Sequence, residues 1–412
     1  VADRETASGC DIMLKTRTET WIAVIAVAVG LFIAGLGGLW VFMSATPPLH
    51  QDAQAVTSVA GAAPSHQWSA ATAVARELVR ASVAEQNLPG ASVAVAVGDD
   101  IVWAGGFGWA DIDGKVAVTP RTRFRIGTAS AALTSAAAGL LVEQGRLKLD
   151  ERIQAYVPEF PEKEWPVTVR QVMGHVAGVR SDGGDEGPLF GVRCERPVEA
   201  LAHFADSALQ FEPGSQYRFS NFGWILISAA IETVANEPFL DFMRTRVLEP
   251  LGMAETRADA GTVPLPDVTS FYFPRFASDP RYGPDPMREL DYSCYAGASV
   301  FLSTPSDMVR FATGIHGGKL LQPATVQQLQ NQGRLTNGQG TGYGLGWKLD
   351  TAILSGAPTP VVGHDGDSLG GMVSSLLTFP QHGITVSMMT NISYADTHGL
   401  AVKVADAFAQ PQ

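Results

Sequence analysis

The chain has 412 residues with 29 basic and 41 acidic side chains, a net charge of −12, and nucleic-acid partners, which need Lys and Arg to neutralise phosphate, are disfavoured by that balance. Apolar residues make up 46% and charged residues 17%, so material for a large core is present and wholesale disorder is excluded. Three cysteines without a Cys-x-x-Cys pair, and eight histidines without His-x-His or His-x-x-x-His spacing, rule out a disulfide-dense scaffold and give no support for a helix-borne zinc site, and no cofactor is expected.

From Thr20 to Gln51 there is no Asp, Glu, Lys or Arg. The centre of this stretch, Trp21–Ala45, is 25 mostly apolar residues, where about 20 suffice to cross a bilayer. Trp21 and Trp40 stand near its ends, as interfacial aromatics do. A signal-peptide core is usually about 7–15 residues, and Met43-Ser44-Ala45 is a poor cleavage site, so the segment reads as one transmembrane anchor. Arg4, Lys15 and Arg17 precede it and the next basic residue is Arg76. That bias keeps residues 1–20 in the cytoplasm and exports the chain beyond the anchor. Met13-Leu14-Lys15-Thr16-Arg17 reads as a more ordinary basic lead-in than the dozen residues before it. Residues 46–68, rich in Ala, Pro, Ser and Gln, read as a tether, and 69–412 as the body.

Within the body, Ser69 is a plausible N-cap for an amphipathic helix, Ala70–Glu85, closed by Pro89-Gly90. Ala91–Val97 and Ile101–Gly108, joined by Gly98-Asp99-Asp100, predict a β-hairpin. A helix from about Ala129 to Gln144 follows Phe124-Arg125-Ile126-Gly127. Residues 146–290 hold helical runs between Pro- and Gly-rich loops. Val361–His364, Met372–Phe379 and Ile384–Met389 predict strands, and Ala395–Ala409 a closing helix. Strands at both ends of the body with helices between them predict an α+β fold: one antiparallel sheet, flanking helices and a helical lobe.

Phe124-Arg125-Ile126-Gly127-Thr128-Ala129-Ser130-Ala131, then Leu141–Asp150, resemble the nucleophile segment of the β-lactamase-related serine hydrolases, which include class C β-lactamases, penicillin-binding carboxypeptidases and esterases. Phe211-Glu212-Pro213-Gly214 with Phe219-Ser220-Asn221, Pro250–Met253, Leu302–Met308, Tyr343–Trp347 and Gly363-His364-Asp365-Gly366 resemble the same family in the same order, across about 340 of 412 residues. The nearest flavour is the serine β-lactamase-like branch. The resemblance implies a β-lactamase/transpeptidase-like fold. It also implies a site built from Ser-x-x-Lys, Tyr-x-Asn and His-x-Gly elements, with a peptide, amide or ester ligand in the cleft.

Three positions depart from that pattern. Thr128 stands at the nucleophile, Ala131 where a lysine would handle its proton, and Phe219 where a tyrosine would carry a phenol. Asn221, His364 and Gly366 match. No lysine in the chain has serine three residues before it, so sliding the register does not restore the motif. The expectation is a weakly active or inactive member; the alternative is an active hydrolase with Thr128 as nucleophile and His364 as the nearby base.

Taken alone, Thr128 and Ser130 read as helix-start capping hydroxyls, Phe219 as a core aromatic and Asn221 as a turn residue. His175 reads as structural. Gly366-Asp367-Ser368-Leu369-Gly370 matches G-x-S-x-G, but a strand follows where that motif needs a helix, and it is read as coincidence. Cys194 and Cys294 fall in or beside the lobe, and a bridge or two buried free thiols are both compatible with that placement.

Overall fold

The computed structural model describes residues 5–44, 47–61, 65–180, 189, 191–259, 267–288, 290–368 and 370–409. The chain divides into two compact units, Val1–Pro47 and Pro48–Gln412.

The first unit is one helix, α1 (Glu5–Ser44). Thr20–Trp40, 21 residues long, is apolar and long enough to cross a membrane. At about 1.5 Å per residue it covers roughly 30 Å, the thickness of a hydrocarbon core. Its large apolar side chains, Trp21 to Trp40, are exposed. The same length and composition fit an anchor and a signal sequence alike.

The second unit is built on an antiparallel sheet. In chain order its main strands are β1 (Ser58–Ala60), β2 (Gly90–Val97), β3 (Asp100–Asp111), β4 (Lys348–Leu354), β5 (Ala357–Ser368), β6 (Met372–Phe379) and β7 (Ile384–Thr390). They lie side by side as β1-β3-β2-β7-β6-β5-β4, and the short strand Val116–Ala117 adds to β3. Every pairing is antiparallel. Strands from the early and late parts of the unit therefore meet at the centre, where β2 pairs with β7 (Val95↔Val386).

Both faces of the sheet are covered. Along β2, Val93 and Val95 point into a core with Val386, Val79 and Val404. Their neighbours Ala94 and Ala96 point to the opposite face against Val309. This alternation is the strand period of two, and a strand buried on both sides must be apolar throughout. The first face is closed by α2 (Ser69–Glu85) and the C-terminal helix Thr397–Ala409. The second carries the helical lobe, with α3 (Ser130–Glu143), α4 (Val169–Met173), α5 (Asn221–Ala235), α6 (Pro305–His316) and α7 (Pro323–Gln330). Eleven residues of α3 are buried, most of them Ala or Ser, which lets α5 and the sheet close around it.

The fold class is as expected, with local corrections. Ser69 is the first helical residue of α2 and not its cap; its hydroxyl donates to the His66 carbonyl of a preceding 3-10 turn (2.8 Å). The expected tether, 46–68, belongs to the body from Pro48 onward. Val56 is buried, the Leu49 N–H donates to Asn87 Oδ1 (2.7 Å), and Ser58 and Ala60 pair with Phe107 and Gly105. That pairing satisfies the backbone of β3, which would otherwise end the sheet as a bare edge. Strand β5 extends well beyond Val361–His364. Pro358 and Pro360 hide its start, and they are tolerated because β6 pairs only from Val362 onward, leaving one side of that stretch open. Cys194 and Cys294 are bridged, with their Cα atoms 4.8 Å apart.

Candidate active site

The residue at the nucleophile position sits where β5 crosses the start of α3. Gly127–Ala129 form a 3-10 turn that feeds Ser130 and the helix. Gly127 has φ +52°, and a Cβ there would meet Met372 Sδ at 3.1 Å. Opposite it, a Cβ on Gly366 would lie 1.9 Å from the Ile126 carbonyl oxygen. Only glycine allows that approach. Ser374 Oγ donates to the same carbonyl (2.9 Å). This contact holds Thr128 beside β5, where its hydroxyl donates to the Asp365 carbonyl (3.1 Å).

The second element is the start of α5. Ser220 caps it, accepting from the Gly223 N–H (3.1 Å) and donating to the Arg180 carbonyl (2.7 Å). That cap fixes Phe219 and Asn221 on either side. The Phe219 ring packs at a tilt against His175, centroids 4.2 Å apart, and Asn221 is buried. His175, at φ +59°, is wholly buried. The Ser220 N–H and the Trp224 indole N–H close on its Nδ1 and Nε2, 3.1 Å each. Burial first, and the neighbouring His364 second, lower its pKa to about 3. A neutral imidazole carries one N–H and accepts only at its other nitrogen, so the ring takes a hydrogen bond from one of these two donors; a protonated ring would set an N–H against both. The structural reading of His175 stands.

The third element is β5 itself. His364 Nδ1 lies 2.6 Å from the Asp365 carbonyl and its Nε2 lies 2.8 Å from the Tyr343 hydroxyl. A carbonyl can only accept, so Nδ1 carries the hydrogen and the phenol donates to Nε2. Burial lowers the His364 pKa, against the raising effect of Asp365 and with a smaller lowering by Lys348. Burial pushes the Tyr343 phenol well up. The Asp365 carboxylate binds His398 Nδ1 (3.0 Å), Lys348 Nζ (2.9 Å) and Ser375 Oγ (2.8 Å). Burial works to raise its pKa, but His398 and Lys348 hold it well below the ordinary carboxylate range. Asp367 is shifted up by burial and by Asp365.

These elements enclose a cavity of about 580 Å³ whose wall includes Thr128, Phe219, Asn221 and His364. Four of the six expected positions thus converge. Gly366 contributes by letting the backbones touch. Ala131 does not line the cavity: it is fully buried in the lobe core, because a methyl is too short to reach from the helix axis to the wall. The Ser368 side chain and Leu369 lie outside the described residues. Tyr217, Tyr343, Lys348, Asp365 and Asp367 also line the cavity and had no assigned role in the sequence reading. Tyr343 and Asp365 stood inside quoted motifs, and that was the available signal. Among the described residues no cluster of His, Cys, Asp or Glu suits a metal ion. The cavity thus sets an ammonium, carboxylates and aromatic rings around one space.

A family model described as Beta-lactamase matches residues 75–409. The serine beta-lactamase-like protein LACTB, mitochondrial, of Mus musculus is 27% identical over 64% of this chain and 60% of its own length. The chain therefore spans about three-fifths of that relative. Penicillin-binding protein 4* of Bacillus subtilis is 24% identical over 75% of this chain and 70% of its own. In fold, the chain resembles the octameric penicillin-binding protein homologue from Pyrococcus abyssi (TM-score 0.67, 23% identity, 82% of this chain and 77% of that one). It also resembles the D-amino acid amidase from Ochrobactrum anthropi SV3 complexed with D-phenylalanine (TM-score 0.66, 21% identity, 82% and 98%).

Proposed function

This chain belongs to the beta-lactamase family, and from that premise we propose that its cleft binds a peptide, amide or ester and turns it over slowly or not at all. The observation that carries this reading is the direction of the Thr128 proton. The hydroxyl donates to the Asp365 carbonyl, an oxygen that cannot take the proton away. Ala131, one helical turn on, offers a methyl group, and Phe219 has no phenol. The candidate base, His364, has its Nε2 already accepting from Tyr343. A hydroxyl nucleophile needs an adjacent base, and general acid–base help is worth about 10²–10⁴ in rate. The threonine γ-methyl restricts χ1 further.

The reading extends to placement. We take Thr20–Trp40 as an anchor with the N-terminus in the cytoplasm and the body outside. The basic residues before the span and none until Arg76 after it support this. The Cys194–Cys294 bridge supports it too, since disulfides persist in oxidising compartments. A cleaved signal sequence would deliver the body to the same side.

The test is covalent labelling of the full chain with a fluorescent penicillin and with a fluorophosphonate, read by intact mass. The expected result is little or no adduct. The combined change Thr128→Ser, Ala131→Lys, Phe219→Tyr should label more than any single change, because the three groups act as a unit; circular dichroism checks that it folds. Stoichiometric labelling of the unmodified protein, lost in Thr128→Ala, overturns the reading and makes Thr128 a working nucleophile.

A further inference from the structure

A second cavity of about 680 Å³, larger than the cleft, is lined by residues that neighbour those of the cleft along the chain. His175 turns its ring toward Phe219 and Tyr343, while its neighbours Gly174 and Val176 line the second cavity. Tyr343 lines the cleft, and two residues on Leu345 lines the second cavity. The lining segments are tied by backbone hydrogen bonds: Gly214 N–H to Val176 O (2.7 Å), Thr336 N–H to Gly214 O (2.9 Å), Gly333 N–H to Tyr343 O (2.8 Å) and Leu345 N–H to Leu329 O (2.7 Å). The cavity is therefore preformed, as ligand sites usually are.

Its chemistry is selective. Val176, Pro213, Leu335 and Leu345 give it an apolar lining. The Arg170 guanidinium is held by Asp150 at 2.6 and 2.8 Å. Arg334 is exposed, donates to the Gly338 carbonyl (3.1 Å), and has no carboxylate partner among the described residues. Beside it the carboxamides of Gln328, Asn331 and Gln332, at and beyond the end of α7, form no hydrogen bond to another described residue. The cavity thus offers one unneutralised guanidinium, three paired donor–acceptor groups and an apolar lining. A guanidinium fork matches a carboxylate, and carboxamides match peptide groups.

We propose that this cavity is a binding site, separate from the cleft, for the C-terminal end of a short peptide. Arg334 takes the terminal carboxylate, the carboxamides take the last peptide groups, and the apolar lining takes an aliphatic last side chain. The site stands whether or not the cleft is catalytic.

The test is calorimetric titration of the full chain in detergent with acetyl-Gly-Gly-Leu and with its C-terminal amide. The free acid should bind, and the amide and the Arg334→Gln variant should each weaken binding by about tenfold or more, the value of one lost charge-assisted contact. Gln332→Ala should weaken it by a few fold. Binding unaffected by Arg334→Gln, binding lost in Asn221→Ala, or no binding up to about 10 mM overturns the proposal, the last because such affinity falls below any useful contact energy. Chitotriose bound through the same residues in place of the peptide overturns the ligand class. Labelling at Thr128 would overturn the reading of the cleft and leave this result untouched.

Discussion

His175 is the residue whose surroundings constrain its charge most sharply. It is buried, faced by two N–H donors, and held neutral with a pKa of about 3. In the unfolded chain an imidazole titrates near 6.5. The folded value is the lower one, so stability from the neutral ring is fully present above about pH 6.5. It declines as pH falls toward 3, by up to about 1.4 kcal/mol per pH unit. His175→Gln in the body, residues 48–412, should be less stable at pH 7 yet lose less between pH 6.5 and 5 than the parent. Urea unfolding at the two pH values checks this, and equal slopes would remove His175 from the acid response. The slope should not vanish, because burial also lowers the pKa of His50, His316 and His364. His398 acts in the opposite sense: its hydrogen bond to Asp365 raises its pKa, so its contribution holds at low pH and fades as pH rises.

At the scale of elements, the lobe is stitched by the Cys194–Cys294 bridge across 100 residues of chain. Closing a loop that long in the unfolded state is worth about 4.7 kcal/mol in the chain-entropy view, and measured losses run to about 2–5. Cys194→Ser should lower the thermal midpoint of the body while leaving the sheet's circular dichroism in place; an unchanged midpoint would mean the bridge constrains nothing. Neither cysteine's surroundings in sequence distinguished a bridge from free thiols, because pairing depends on a fold that brings Gly191–Cys194 against Tyr292–Tyr295. What was legible in sequence was local and periodic. Met372–Phe379 was bounded as it stands, and α3 and β2 to within about two residues. What was not legible fell into two kinds. Ser58–Ala60 is too short to show a period. The hydrogen bonds of Thr128 to Asp365 and of Tyr343 to His364 join residues 237 and 21 apart, so the roles of Tyr343 and Asp365 appear only once the sheet edge meets the lobe. Ala131 was misplaced for a related reason: its motif position was legible, but the depth of a methyl on α3 was not.

For the whole molecule, the reading of one anchor and an exported body predicts that protease added to intact cells or spheroplasts digests residues after 70. Protection of the body there would reverse the orientation, and with it the compartment in which the disulfide forms. The placement of β1 adds a practical consequence for anyone who wants the body without its membrane segment. A cut at Ser69, where α2 starts, would leave the outer edge of β3 with unpaired N–H and C=O groups, a ready template for another chain to add on. It would also uncover the core around Val56. Material started at Pro48 should run as a monodisperse species in size-exclusion chromatography, and material started at Ser69 should self-associate or precipitate. Equal behaviour of the two would make β1 dispensable. Twenty-one residues of unremarkable composition, Pro48 to Trp68, separate the preparation expected to stay in solution from the one expected to leave it.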